Sequence, residues 1–246
     1  MFEAGKKTVT VSRLFIVSTA LVTLTVICAL VVVVVNLWPE DNATEIAESA
    51  TTPTPSPEAS TVPDENASMC GLPGGDHTTI DSPPEVEWEF VGTMHAPTSA
   101  DVGPGQITDS GFRQCYAHSP EGALMAAANV MAMGTDPLLV QELNEEQVAE
   151  GPGRDLVLED LENNAPESDA DIRLTIVGYN LKGYAPNASR IDLAVEGSNG
   201  VFASVTTDLR WEAGDWKVAL SDSGQPVIPV TQIADASGYH PWKAEG

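Results

Sequence analysis

The longest apolar run comes first. From Leu14 to Trp38 the chain carries 25 residues without a charge, including Val31 to Val35 in succession. About 20 helical residues cross the hydrocarbon core of a bilayer, so 14–38 is expected to be a transmembrane helix seated in the lipid bilayer. A cleaved signal peptide has a shorter apolar core and ends in a small-residue site, whereas here Asn36-Leu37-Trp38-Pro39 follows. Cys28 lacks the small residue that a lipoprotein cleavage site needs before it. Lys6, Lys7 and Arg13 precede the run, while Glu40, Asp41, Glu45 and Glu48 follow it. Flanks of that sign place residues 1–13 in the cytoplasm and everything beyond 38 outside, a single-pass protein of the cell membrane.

Residues 39–68 have almost no apolar pattern. They hold five prolines, seven acidic residues and no Lys or Arg, with Ile46 and Val62 as their only large aliphatics. Such a stretch buries too little surface to offset the entropy of ordering it, so a disordered stalk is expected. Fully extended it would reach ~100 Å.

From residue 69 to 246 the periodicity is that of one folded domain. One strand is expected over Val86–Met94. Ser119, Pro120 and Glu121 then open a helix in the residue order that capping favours, and Gly134 closes it. Ala123 to Met133 is apolar nearly all round, which marks a buried helix. Two weaker helical segments are expected at 137–149 and 154–163. After Pro166 the period becomes two. Ile172, Leu174 and Ile176 share a face, and Tyr179 and Leu181 continue out of phase across Gly178, as a β-bulge would require. Ile191, Leu193 and Val195 predict a strand with Asp192 and Glu196 pointing outward. Gly197-Ser-Asn-Gly200 predicts a hairpin turn into Val201, Ala203, Val205, Leu209 and Trp211. Glu212-Ala-Gly-Asp215 turns the chain into Trp216, Val218 and Leu220, and a last short strand is expected near 227–233. The expected class is α+β, with helices packed on a curved antiparallel sheet.

That order, with the closing hairpin Leu209-Arg-Trp-Glu-Ala-Gly-Asp-Trp-Lys-Val-Ala-Leu220, resembles the cone-shaped nuclear transport factor 2-like superfamily. Trp88, Pro97, Gly103-Pro104, Gly111-Phe112 and Cys115-Tyr-Ala-His-Ser-Pro-Glu-Gly-Ala-Leu124, behind an anchor and a stalk, resemble uncharacterised actinobacterial envelope proteins. Some relatives of that design are bitopic components of conjugative type IV secretion machines. The resemblance implies a cone-like fold and an assembly role, and it carries no catalytic motif onto particular residues.

Charge narrows the partners. The chain has 36 acidic against 11 basic residues, a net charge of −25, and residues 39–246 alone carry −27. Affinity for phosphate backbones comes mainly from Lys and Arg, so nucleic acid is excluded as a partner. Cys70 and Cys115 are the only cysteines beyond the expected span, and outside the cytoplasm such a pair oxidises to a disulfide. A zinc reading competes with it: Cys115-x-x-His118 has ligand-like spacing, with Cys70, His77 or His95 to complete the set. Only half of a paired motif is present, so neither a metal nor any other cofactor is expected. A Cys115–His118 nucleophilic dyad fails for a bridged cysteine, which has no thiolate to offer. Tyr116, Tyr179 and Tyr184 supply the hydroxyls that an isomerase-like cone protein pairs with a carboxylate. With acids everywhere the pairing carries little information. No hydrolase, zincin, phosphate-loop or EF-hand motif occurs. Three Asn-Ala-Ser/Thr triplets, at Asn42, Asn66 and Asn187, matter only in a eukaryotic secretory pathway.

The expectation is therefore a non-enzymatic, membrane-anchored extracytoplasmic domain that contacts other envelope proteins. Its rivals are a small-ligand-binding cone protein and an isomerase-like one. A filled interior argues against both rivals, whereas a pocket with converging polar groups argues for them.

Overall fold

Ser119 begins the helix that organises the domain. In the computed structural model, which describes residues 66–164 and 173–244, its side chain accepts a hydrogen bond from the Gly122 N–H at 3.1 Å and Pro120 occupies the first turn. Helix α1 then runs Pro120–Met133 and buries nearly every residue, and the Gly134 N–H closes it on the Val130 carbonyl. The expected span 14–38 lies outside the described residues, as does the stalk up to residue 65. Among the described residues no helix is long and apolar enough to cross a membrane.

The expected helix at 137–149 is shorter, and the reason is a competing strand. Helix α2 covers only Val140–Glu146. Beyond it, the Val218 N–H donates to the Gln147 carbonyl at 2.8 Å and the Ala149 N–H donates to the Val218 carbonyl at 2.9 Å. Val148 thus bridges in parallel to Val218 at the edge of the sheet, directly after the helix cap at Gln147. Helix α3, Pro152–Asn163, starts two residues earlier than expected because Pro152 suits the first helical position.

The single strand expected over Val86–Met94 is a hairpin, β1 (Glu87–Val91) and β2 (Met94–Thr98), turned at Gly92 with φ +57°. A short ribbon, β3 (Gln106–Ile107) with β4 (Arg113–Gln114), fills part of the loop-rich stretch. The long strands follow as β5 (Leu174–Ala185), β6 (Ala188–Gly197), β7 (Phe202–Glu212) and β8 (Asp215–Val218), each antiparallel to the one before. The main sheet reads β1-β2-β5-β6-β7-β8. Register shifts between Ile176 and Gly178 and between Leu181 and Gly183 leave one extra residue in β5 at each. The first is the slip expected at Gly178. Bulges of this kind bend a strand, and the sheet is strongly curved.

Helix α1 packs on β2, β5, β6 and β8. Its Leu124, Met125 and Met133 join Met94, Ile176, Ile191, Leu193, Leu209 and Trp216 in one buried core. The α+β class holds, with three helices among the described residues on a mostly antiparallel sheet.

The last short strand, expected near 227–233, leads into a strap over the opposite face of the sheet. Strand β9 (Thr231–Ile233) pairs with β7, and β10 (His240–Pro241) pairs with β5. The chain between them therefore crosses β6. There the Tyr239 hydroxyl donates to Asp192 at 3.0 Å, the Ser204 hydroxyl donates to it at 2.6 Å, and Lys182 Nζ lies 3.1 Å away. Asp192, expected to face solvent, is buried beneath this strap.

Candidate functional site

Three regions concentrate polar chemistry. The first is where the chain enters the domain. Cys70 and Cys115 are joined, with sulfurs 2.07 Å apart. Next to the bridge, the Met69 N–H donates to the Gly214 carbonyl at 2.8 Å and the Gly75 N–H donates to the His118 carbonyl at 3.0 Å. A Cβ on Gly105 would lie 2.4 Å from the Cys70 sulfur, so only glycine leaves room for the bridge.

Cys115 has φ +67°, and this turn aims consecutive N–H groups at a single carboxylate. Asp215, 1% exposed, accepts from Cys115 N–H at 2.8 Å, Tyr116 N–H at 2.9 Å, Gln147 Nε2 at 2.8 Å and its own neighbour Trp216 N–H at 2.9 Å. Burial pushes this carboxyl above its ordinary value, and the four donors pull the other way. All four of these partners donate, which suits an ionised carboxylate held by N–H groups. Trp216 Nε1 completes the knot by donating to the Ala117 carbonyl at 3.0 Å. Asp215 thus fastens the start of α1, the end of α2 and the β7–β8 hairpin to one point. Sequence reasoning saw the disulfide but read Asp215 only as part of a turn.

The second region is the aromatic end of α1. His118 stacks on Trp211, with ring centroids 3.9 Å apart and planes 9° apart, and its Nε2 meets the Pro186 carbonyl at the β5–β6 turn. A carbonyl accepts only, so Nε2 carries the hydrogen. The other candidate zinc ligands are dispersed: His77 Nε2 lies 2.7 Å from Glu121 and His95 packs on Phe90. Among the described residues no group of three His, Cys, Asp or Glu is gathered as a metal site. The tyrosines are also committed to packing. Tyr116 donates to the Arg113 carbonyl at 3.2 Å, and Tyr184 lies tilted against Trp216. Burial first, and then the charge of Glu121, raise Tyr179 and push Tyr184 up to about 12. The Tyr179 hydroxyl is buried without a hydrogen-bond partner, while its ring contacts Trp242 and His240.

The third region is a surface groove of about 530 Å³ between the β3–β4 ribbon and α2. Phe112 and Gln114 form the ribbon side, facing Leu138, Gln141, Glu142, Glu145 and Glu146. Leu138, at its edge, is 88% exposed. Ser110 Oγ donates to Glu142 at 2.9 Å and Gln141 Nε2 donates to Glu145 at 2.6 Å. None of the ion pairs of the described residues includes these three carboxylates. Sequence reasoning had no means to find the groove, because its two walls lie about 25 residues apart in the chain.

A family model for a domain of unknown function, DUF8175, matches residues 50–241. No curated protein and no solved structure matches the chain.

Proposed function

The chain belongs to the DUF8175 family, a domain of unknown function, and we propose that it is a membrane-anchored, non-enzymatic domain that works outside the cytoplasm by contacting other envelope proteins. Residues 14–38 are the anchor, 39–68 the spacer, and the α+β domain the contacting part. The cone-like fold and the place among parts of a conjugative secretion assembly belong to the same proposal and rest on the resemblance of the closing hairpin and the 115–124 segment.

One observation carries the reading. Met94, Met125, Met133, Ile176 and Trp216 fill the space between α1 and the sheet, where a cone protein would hold a ligand. A domain with a filled interior offers its outside to partners. Tethering supports this, because a spacer keeps a domain at high effective concentration near membrane neighbours. The charge of −27 beyond residue 38 disfavours anionic lipid and nucleic acid, leaving neutral or basic partners.

The test is photo-crosslinking in intact cells from exposed positions distributed over the domain, such as Gln141, Phe90 and Leu156. The proposal expects capture of other membrane or envelope proteins. Recovery of the chain alone from every position would replace it with self-assembly. The orphaned Tyr179 hydroxyl favours a second reading, a ligand-binding or isomerase-like cone protein. Turnover of an enone or hydroxyacyl substrate that Tyr179→Phe abolishes would put that reading first.

A further inference from the structure

The bonds at the start of the domain continue one another inward. Ser68 closes a turn, its hydroxyl accepting from the Leu72 N–H at 2.8 Å and its carbonyl from the Gly71 N–H at 2.8 Å. Cys70 leaves this turn for Cys115 through the disulfide. Cys115 and Tyr116 are the residues whose N–H groups meet Asp215, and Ala117, one residue on, accepts from Trp216 Nε1. Gly214 makes room for the entering chain, since a Cβ there would lie 3.0 Å from the Met69 nitrogen. A pull on the chain ahead of Ser68 therefore crosses the sulfurs to the start of α1 and the β7–β8 hairpin. Residues 71–114, with β1 to β4, stay out of its path. The C-terminal end is fastened differently. It is held by two residues of β10, by the Trp242 N–H on the Val177 carbonyl at 3.2 Å and by Tyr239 on Asp192, and no cysteine follows Cys115.

We propose that the Cys70–Cys115 bridge and the Asp215 knot form a tension-bearing joint, which passes force from the chain ahead of residue 66 into the core and spares the edge hairpin β1–β2. The proposal rests on the assembly reading above, in which that chain links the domain to the membrane while its outside contacts partners. On the chain-entropy account a bridge stabilises by the length of loop it closes, wherever the loop lies. Here the bridge lies at the entry and leads directly into a buried carboxylate, so its place in the force path is a second property. Past the sulfurs, the first hydrogen bonds to carry load are those of Cys115 and Tyr116 to Asp215, which Gln147 and Trp216 hold in turn. Several bonds must then give way together. With the bridge opened, load falls first on the lone bonds of Met69 to Gly214 and Gly75 to His118, and next on the β1–β2 pairing at the sheet's edge.

The test is single-molecule pulling on the full chain in a neutral detergent, with handles on azide-bearing residues placed at Ser60 and Asn199, or at Asn199 and Lys243. The first pair draws force through the joint, and the second draws it through the C-terminal strap. Along the first direction the oxidised chain should open without an early step. After reduction by dithiothreitol, an early step should release residues 71–114, on the order of 150 Å of chain. The force of first rupture should fall about twofold or more along the first direction and change little along the second. Gln147→Ala, which leaves the bridge and three of the four donors of Asp215 in place, should show the same directional loss in the oxidised chain. Equal losses along both directions would overturn the proposal, because a bridge that serves overall stability alone weakens the fold whichever way it is pulled. So would a reduced chain that opens at the oxidised force without the early step. Failure of the assembly reading shows elsewhere, as photo-crosslinking that captures no envelope protein, and leaves the pulling result unchanged.

Discussion

Asp215 shows how much one residue decides. Its carboxylate draws four N–H donors from three separated segments into a place without solvent. Asp215→Asn keeps one acceptor oxygen and turns an amide group toward donors, leaving buried groups unpaired. We expect a loss of about 3 kcal/mol in chemical denaturation, with Glu212→Gln on the same hairpin as a near-neutral control. A loss under 1 kcal/mol would show that the knot is not what holds α1 in place. The sequence reads this aspartate as the end of a turn, whereas it opens β8, and its role was illegible because its distant donors come from residues 115, 116 and 147. Asp192 illustrates the reverse error. Alternation put it outward, and the strap that covers it arrives more than 40 residues later.

Elements with local causes were the readable ones. Helix α1 was legible to its ends because Ser119, Pro120 and Gly134 are all within or beside it. The β5 bulge was legible because the phase of Ile176 and Tyr179 changes across Gly178. The end of α2 was not, since residues 147–149 leave the helix to pair with β8, a contact absent from local pattern. The entry segment depends on a long-range bond of the same type. Cys70 and Cys115 close a 45-residue separation that includes β1 to β4. Cys70→Ser should cost roughly 4 kcal/mol on the chain-entropy account, and the oxidised chain should show no accessible thiol from this pair. Two free thiols in the native folded domain would reject the bridge.

Across the whole molecule, all four tyrosines are raised above their ordinary value, chiefly by burial, with Tyr116 raised well above it and Tyr184 pushed up to about 12. The unfolded chain therefore loses its tyrosine protons first. The stabilising contribution is complete below about pH 10 and is lost as pH rises from there through the folded values. Ultraviolet titration should find no tyrosine ionising at the ordinary midpoint while the domain stays folded; one that does so would contradict the packing of that ring. The functional account depends on a larger proposal, that residues beyond 38 stand outside the cytoplasm on an uncleaved anchor. The disulfide, the acidic outer surface and the search for envelope partners all presuppose that location. Protease added to intact protoplasts, with a reporter fused to the N-terminus, measures it directly. The account predicts that the domain is removed while the reporter remains protected and membrane-bound. A protected domain, or a secreted product cleaved just after the apolar run, would contradict it.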